Sequence, residues 1–143
     1  MQNTTLLVKD YMTPNPKTIA VSENLMVAEN IMMYEGYRHL PVEEEGRIVG
    51  VISDRDIKFI NYIRGISSRD IIIKDILHRP SYQISPDTPI EEVLESMIQN
   101  KYGSAVVVAE EKLLGIFTTI DAMKALKDIA TMFRRANEEL EPQ

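Results

Sequence analysis

No cysteine occurs among the 143 residues, which excludes disulfides, thiolate metal sites and cysteine nucleophiles and fits a reducing compartment. The first ten residues, Met1 to Asp10, carry no basic stretch and only three consecutive apolar residues, Leu6-Leu7-Val8, too few for a signal peptide or a membrane span. A cytoplasmic protein without a membrane partner is expected. Positive charge is the minority, with 16 Lys+Arg against 22 Asp+Glu and a net charge of -6, so a nonspecific grip on a nucleic-acid backbone is disfavoured. There are only two histidines, His39 and His78, and they do not occupy matching places in the repeat described below, which argues against a metal pair or a catalytic relay. A packing or ligand-edge role suits His39 better. No Walker loop, no G-x-S-x-G and no cluster of metal ligands is present, so an enzyme is disfavoured and no metal is expected.

What is present repeats. A shift of 65 residues aligns the two halves without a gap: Lys9-Asp10 falls on Lys74-Asp75, Ile19 on Ile84, Met32 on Met97, Tyr37 on Tyr102, Val42 on Val107, Gly50 on Gly115 and Asp56 on Asp121. Leu25, Ala28 and Met32 align with Ile90, Val93 and Met97, giving each half one apolar face at helical spacing. Two short apolar runs follow in each half, Leu40-Pro41-Val42 then 48–52, and 105–108 then 113–117. They read as buried strands joined by an acidic turn, Glu43 to Gly46 or Ala109 to Glu111. Ser22 and Asp87 are candidate N-caps for the first main helix of each half. A half of about 60 residues buries little alone, so the halves are expected to share one core across a pseudo-twofold axis. Phe59 to Arg69 is read as their connection, with Gly65-Ile66-Ser67-Ser68 as its loop.

Two segments at strand-to-helix junctions share one pattern: Gly50-Val51-Ile52-Ser53-Asp54-Arg55-Asp56 and Gly115-Ile116-Phe117-Thr118-Thr119-Ile120-Asp121. With Tyr37-Arg38-His39-Leu40-Pro41 and the starts 9–14 and 74–77, the chain closely resembles the CBS-domain family from about Val8 to Leu126. The resemblance implies an α/β (α+β) fold, a stand-alone tandem CBS pair or Bateman module of two pseudo-twofold related β-α-β-β-α repeats with their sheets packed together. The expected division is 8–64 for the first CBS domain, 73–127 for the second and 128–143 for a C-terminal helical extension. The family also implies two clefts for ligands and assembly as a homodimer.

The chemistry of the motif stands beside the resemblance. The glycine lets another group approach the backbone, and a helix N-terminus offers N–H groups to phosphate. Ser53 or Thr118 adds a hydroxyl, Asp56 or Asp121 can accept from ribose hydroxyls, and Arg55 can pair with phosphate. Ser53-x-x-Asp56 and Thr118-x-x-Asp121 equally resemble capping boxes that need no ligand, and cap and site can coexist. Asp54 would repel phosphate unless it turns away, or unless magnesium arrives with the nucleotide. The resemblance places the base between Thr18-Ile19-Ala20 and Tyr37-Arg38-His39 with Pro41 in the first half. In the second it places the base between Gln83-Ile84 and Tyr102-Gly103-Ser104-Ala105. Thr119-Ile120 brings no cation beside the second phosphate position, so a neutral or shorter-phosphate ligand suits that cleft.

Six of the eight methionines, Met26, Met32, Met33, Met97, Met123 and Met132, fall mostly at helical spacing and read as core or dimer-interface packing. Glu43-Glu44-Glu45 and Glu110-Glu111 read as solvated turns. Ala122 to Leu140 reads as a helix running past the motif. It either covers the module's own core or meets a second copy or a partner. The leading expectation is a regulatory module, with no cofactor beyond its ligand. It binds AMP, ADP, ATP or S-adenosylmethionine and signals to an unidentified output protein. The alternative is a structural dimerisation module without nucleotide affinity.

Overall fold

The computed structural model describes residues 5–65, 67–77 and 81–140; His78 and Ile66 lie outside the described residues. The first half opens on a 3-10 turn, Val8–Asp10, and continues through β1 (Thr13–Pro14), β2 (Ile19–Ala20), α1 (Leu25–Glu35), β3 (His39–Glu44), β4 (Arg47–Ser53) and α2 (Asp54–Arg64). The second half has a 3-10 turn at Ile73–Asp75, then β5 (Gln83–Ile84), α3 (Ile90–Asn100), β6 (Ser104–Ala109), β7 (Lys112–Thr118) and α4 (Thr119–Leu140). The stretch expected as a connection from Phe59 is helical as far as Arg64. The true turn comes at Gly65, whose φ of 57° ends α2 in the left-handed region.

Each half builds one small sheet in which a short strand runs parallel to the first strand of an antiparallel hairpin. The orders are β2-β3-β4 and β1-β7-β6-β5. The hairpins carry the same register shift, between Val42 and Glu43 and between Val107 and Val108, so the repeat extends to backbone irregularities. The sheets approach each other along β4 and β7. Gln83 Nε2 donates to the Ile48 carbonyl at 2.9 Å across that boundary.

The extra strand β1 shows how the halves are joined. Thr13 and Pro14 belong to the first repeat by sequence, yet β1 pairs with β7 of the second. The exchange is reciprocal. Val8 is buried in the second half's core with Ile90, Val93 and Phe117, whereas Ile71 and Ile73 are buried in the first half's core with Leu25, Leu40 and Ile52. Backbone bonds follow the same rule: Val8 N–H donates to Thr88 O at 2.9 Å, and Ile73 N–H to Glu23 O at 2.9 Å. Instead of one shared core there are thus two, each completed by the leading segment of the other repeat.

The exchange also corrects the expected caps. The N-caps of α1 and α3 are Asn24 and Pro89, not Ser22 and Asp87. Asn24 Oδ1 accepts from Val27 N–H at 3.1 Å, while Asp87 pairs with Lys9 at 2.9 Å. The crossing segments supply further acceptors, since Leu25 N–H donates to Ile71 O at 2.8 Å and Ile90 N–H to Leu6 O at 2.9 Å. Two orphan donors of the helix starts are thereby satisfied by the opposite repeat.

The motif glycines have their reason in the same contact. A Cβ on Gly50 would lie 2.6 Å from a Leu77 methyl, and one on Gly115 would lie 2.6 Å from Met12 Sδ and 2.7 Å from the Thr13 carbonyl oxygen. The close approach that the glycines permit is therefore to the crossing segment. Among the described residues no helix is long and apolar enough to cross a membrane.

Gly115→Ala is expected to cost about 1–3 kcal/mol by overpacking, and Gly50→Ala less, because only the Leu77 side chain must move there, whereas Gly115 faces backbone. Urea unfolding of both variants checks this; equal or negligible costs would contradict a tight crossing.

Candidate functional site

The strand-to-helix junctions of the two repeats both open onto a cleft of about 890 Å³ between the halves, which takes in residues expected at both ligand positions. The first half lines it with Tyr37, Arg38 and His39 at the start of β3 and with Ser53 to Asp56. The second half contributes Gly103 and Ser104 at the start of β6 and Thr118 to Asp121. Ten of the residues expected from sequence thus meet here: Tyr37, Arg38, His39, Ser53, Arg55, Asp56, Gly103, Ser104, Thr118 and Asp121.

The others fall outside this lining. Ile19, Pro41 and Ala105 are buried, while Thr18, Ala20 and Ile84 are half-buried on or beside the short strands. Gln83 is committed to Ile48, and the Tyr102 ring stands edge-on to Tyr82 at 5.1 Å. Thr13, Pro16, Lys101 and Lys124 line the cleft and were not expected. Thr13 had a sequence signal in the Met12-Thr13-Pro14 start, but the two lysines have no cationic counterpart at the matching repeat positions, Gly36 and Phe59.

Both junctions are capping boxes. Asp56 N–H donates to Ser53 Oγ at 3.0 Å, and Ser53 N–H to Asp56 Oδ2 at 3.2 Å. Thr118 N–H donates to Asp121 Oδ2 at 2.9 Å, and Asp121 N–H to Thr118 Oγ1 at 3.5 Å. The next amide in each is also used, Asp54 N–H by Arg38 O at 2.8 Å and Thr119 N–H by Gly103 O at 3.3 Å. The helix starts therefore offer fewer N–H groups to a ligand than expected, and the side chains must provide most of the recognition.

The two aspartates are no longer equivalent. Asp121 is 3% exposed and also accepts from Thr13 Oγ1 at 3.3 Å, so the crossing segment occupies it. Asp56 is half-buried and, among the described residues, is hydrogen-bonded only within its own cap. Asp54, the residue that threatened to repel phosphate, is drawn into an i,i+4 pair with Lys58 at 2.9 Å.

Charge in the cleft is unbalanced. Arg38, Arg55, Lys101 and Lys124 all line it, and among the described residues none of them is in an ion pair. The three lining aspartates, by contrast, are committed to Lys58 or to caps. The arrangement favours an anion. His39 sits at the middle: its Nε2 would be 3.3 Å from a Cβ on Gly103. Burial holds the imidazole below its ordinary value, Asp56 pulls the other way, Arg38 reinforces burial and Asp121 opposes it. Among the described residues no three His, Cys, Asp or Glu side chains are placed to hold a metal ion.

The family model for the CBS domain matches residues 8–60 and again 73–128. Inosine-5'-monophosphate dehydrogenase of Thermoplasma acidophilum is 27% identical over 125 residues, covering 86% of this chain and 23% of that enzyme. Of three curated relatives, the chain spans 23%, 46% and 31% of their lengths. Among solved structures, a CBS domain pair in complex with 5'-methylthioadenosine and S-adenosyl-L-methionine superposes with a TM-score of 0.79 at 25% identity, covering 87% of this chain and 98% of that one. An uncharacterized conserved protein from Pyrococcus horikoshii superposes with a TM-score of 0.76 at 27% identity, covering 87% and 94%.

A histidine whose folded value lies below its unfolded value of 6.5 takes up its proton later than the unfolded chain does as pH falls. Its contribution to stability is complete above the unfolded value and is lost as pH drops from there towards the lowered folded value. The urea midpoint is expected to fall between pH 7.5 and 5.5, with a smaller fall in His39→Gln. Identical pH dependence in the two proteins would show that His39 is not held neutral.

Proposed function

Because the chain belongs to the CBS-domain family and carries the domain twice, we propose that it is a regulatory module. It senses an adenine nucleotide, AMP, ADP, ATP or S-adenosylmethionine, in the cleft between its repeats and passes a change in packing to a separate partner protein. The observation that carries this is that four cations, none of them ion-paired among the described residues, line one cleft together with Asp56, whose second carboxylate oxygen is not used by its cap. Charge-assisted bonds from arginine suit phosphate, and a carboxylate suits ribose hydroxyls. An S-adenosylmethionine-like ligand would draw on Asp56 and the aromatic ring of Tyr37 instead.

A ligand in the cleft touches both repeats, so binding biases how the halves sit against each other. The exchanged segments tie that change to both cores. Phe59 and Ile63 on α2 and Met123, Leu126 and Phe133 on α4 stand exposed. Apolar surface of this kind is normally covered, and we assign it to a homodimer contact through which the change is read out. The proposed role is regulatory rather than catalytic, in the cytoplasm, without nucleic acid or a membrane as partner.

Thermal denaturation with AMP, ADP, ATP and S-adenosylmethionine, with and without magnesium, tests the reading. A ligand at 100 times its dissociation constant adds about 2.7 kcal/mol, and Asp56→Ala is expected to abolish most of that gain. Stabilisation by none of them, in nucleotide-free protein, would favour a structural dimerisation module, for which capping boxes already satisfied without ligand would suffice.

A further inference from the structure

The cations of the cleft are not duplicated by the repeat. Arg38 faces the place of Gly103 in the other half, Arg55 that of Ile120, Lys101 that of Gly36 and Lys124 that of Phe59. Each half thus supplies two cations, and no two of the four are related by the 65-residue shift. Two monophosphate ligands, one per repeat, would be served by matching cations at matching positions. An interleaved set serves one ligand that is itself asymmetric and crosses from one half to the other.

The rest of the cleft is asymmetric in the same sense. At the second repeat, the side chains beside the cleft are engaged by protein: His39 Nε2 would lie 3.3 Å from a Cβ on Gly103, the Tyr102 ring packs against Tyr82, and Asp121 accepts from Thr13. At the first repeat, Gly36 leaves room where the second has Lys101, Pro16 and Tyr37 supply apolar surface, and Asp56 retains accepting capacity. One end is built for a ring and a ribose, while the other adds positive charge from Lys101 and Lys124.

Resting on the nucleotide reading above, we infer that the chain takes a single nucleotide with two or more phosphates. Its base and ribose lie against the first repeat, and its phosphate chain runs across the boundary to Lys101 and Lys124 of the second. Arg38 and Arg55 serve the phosphates nearer the ribose. A monophosphate held in the same pose stops short of the two lysines and binds more weakly.

Isothermal titration of the full chain with AMP, ADP and ATP, in EDTA so that no metal masks the phosphate charge, is the test. The expected result is one ligand per chain and ATP at least tenfold tighter than AMP. Lys124→Gln and Lys101→Asn, the latter because asparagine tolerates the left-handed φ of 56° at that position, are expected to weaken ATP about threefold to tenfold each. Both should leave AMP within about twofold, and both side chains are exposed, so folding should be retained. Equal affinity for AMP and ATP, or two AMP per chain, overturns the single-polyphosphate assignment while leaving the sensor reading intact. No binding of any nucleotide overturns both.

Discussion

The crossing of the two leading segments is the contact on which the rest depends. Val8 completes the second core and Ile73 the first, so neither repeat has a full interior without the other. A unit of about 60 residues is close to the lower limit for stability alone, and exchange raises both halves above it together. The same crossing sets Met12 against Gly115 and Leu77 against Gly50, beneath the strands that end at the cleft. It also delivers the Thr13 hydroxyl to Asp121. Fold and site are therefore connected by one device.

That device is also what makes two near-identical junctions chemically different. Both cap a helix with the same Ser/Thr-x-x-Asp pattern, yet one aspartate is buried under β1 and the other keeps room for a partner. A pseudosymmetric frame with asymmetric charge is well suited to regulation. In the proposed role, the frame supplies two halves whose packing a ligand would bias, and the charge gives that ligand different work to do on each. On the proposed reading, binding energy that spans the boundary biases their packing only if it differs between arrangements, and cations drawn from both halves are a means to such a difference.

Much of this was legible in the sequence. The gap-free shift placed the main helices and the hairpin strands, and the Ser53–Asp56 and Thr118–Asp121 spacings announced capping boxes that exist. The crossing was not legible, for a physical reason. Val8 and Ile73 are equivalent apolar residues in equivalent settings, and either would fit either core, so sequence alone cannot distinguish docking at home from docking across. The caps were misplaced by two residues for the same cause, since carbonyls of Leu6 and Ile71 help satisfy the helix starts. Lys101 and Lys124 escaped because they lie just outside the motif segments that held the candidates, one at the C-cap of α3 and one a turn into α4, whereas Arg38 and Arg55 stand inside them.

The most direct test of the central claim, that an adenine nucleotide binds between the repeats, is to follow the backbone amides by NMR while ATP is titrated into the protein. The account predicts that the largest shifts fall together on His39, Arg55, Asp56, Gly103 and the first turn of α4, saturating at a single stoichiometry. Shifts confined to one repeat, or to the outer faces of α1 and α3, would contradict it.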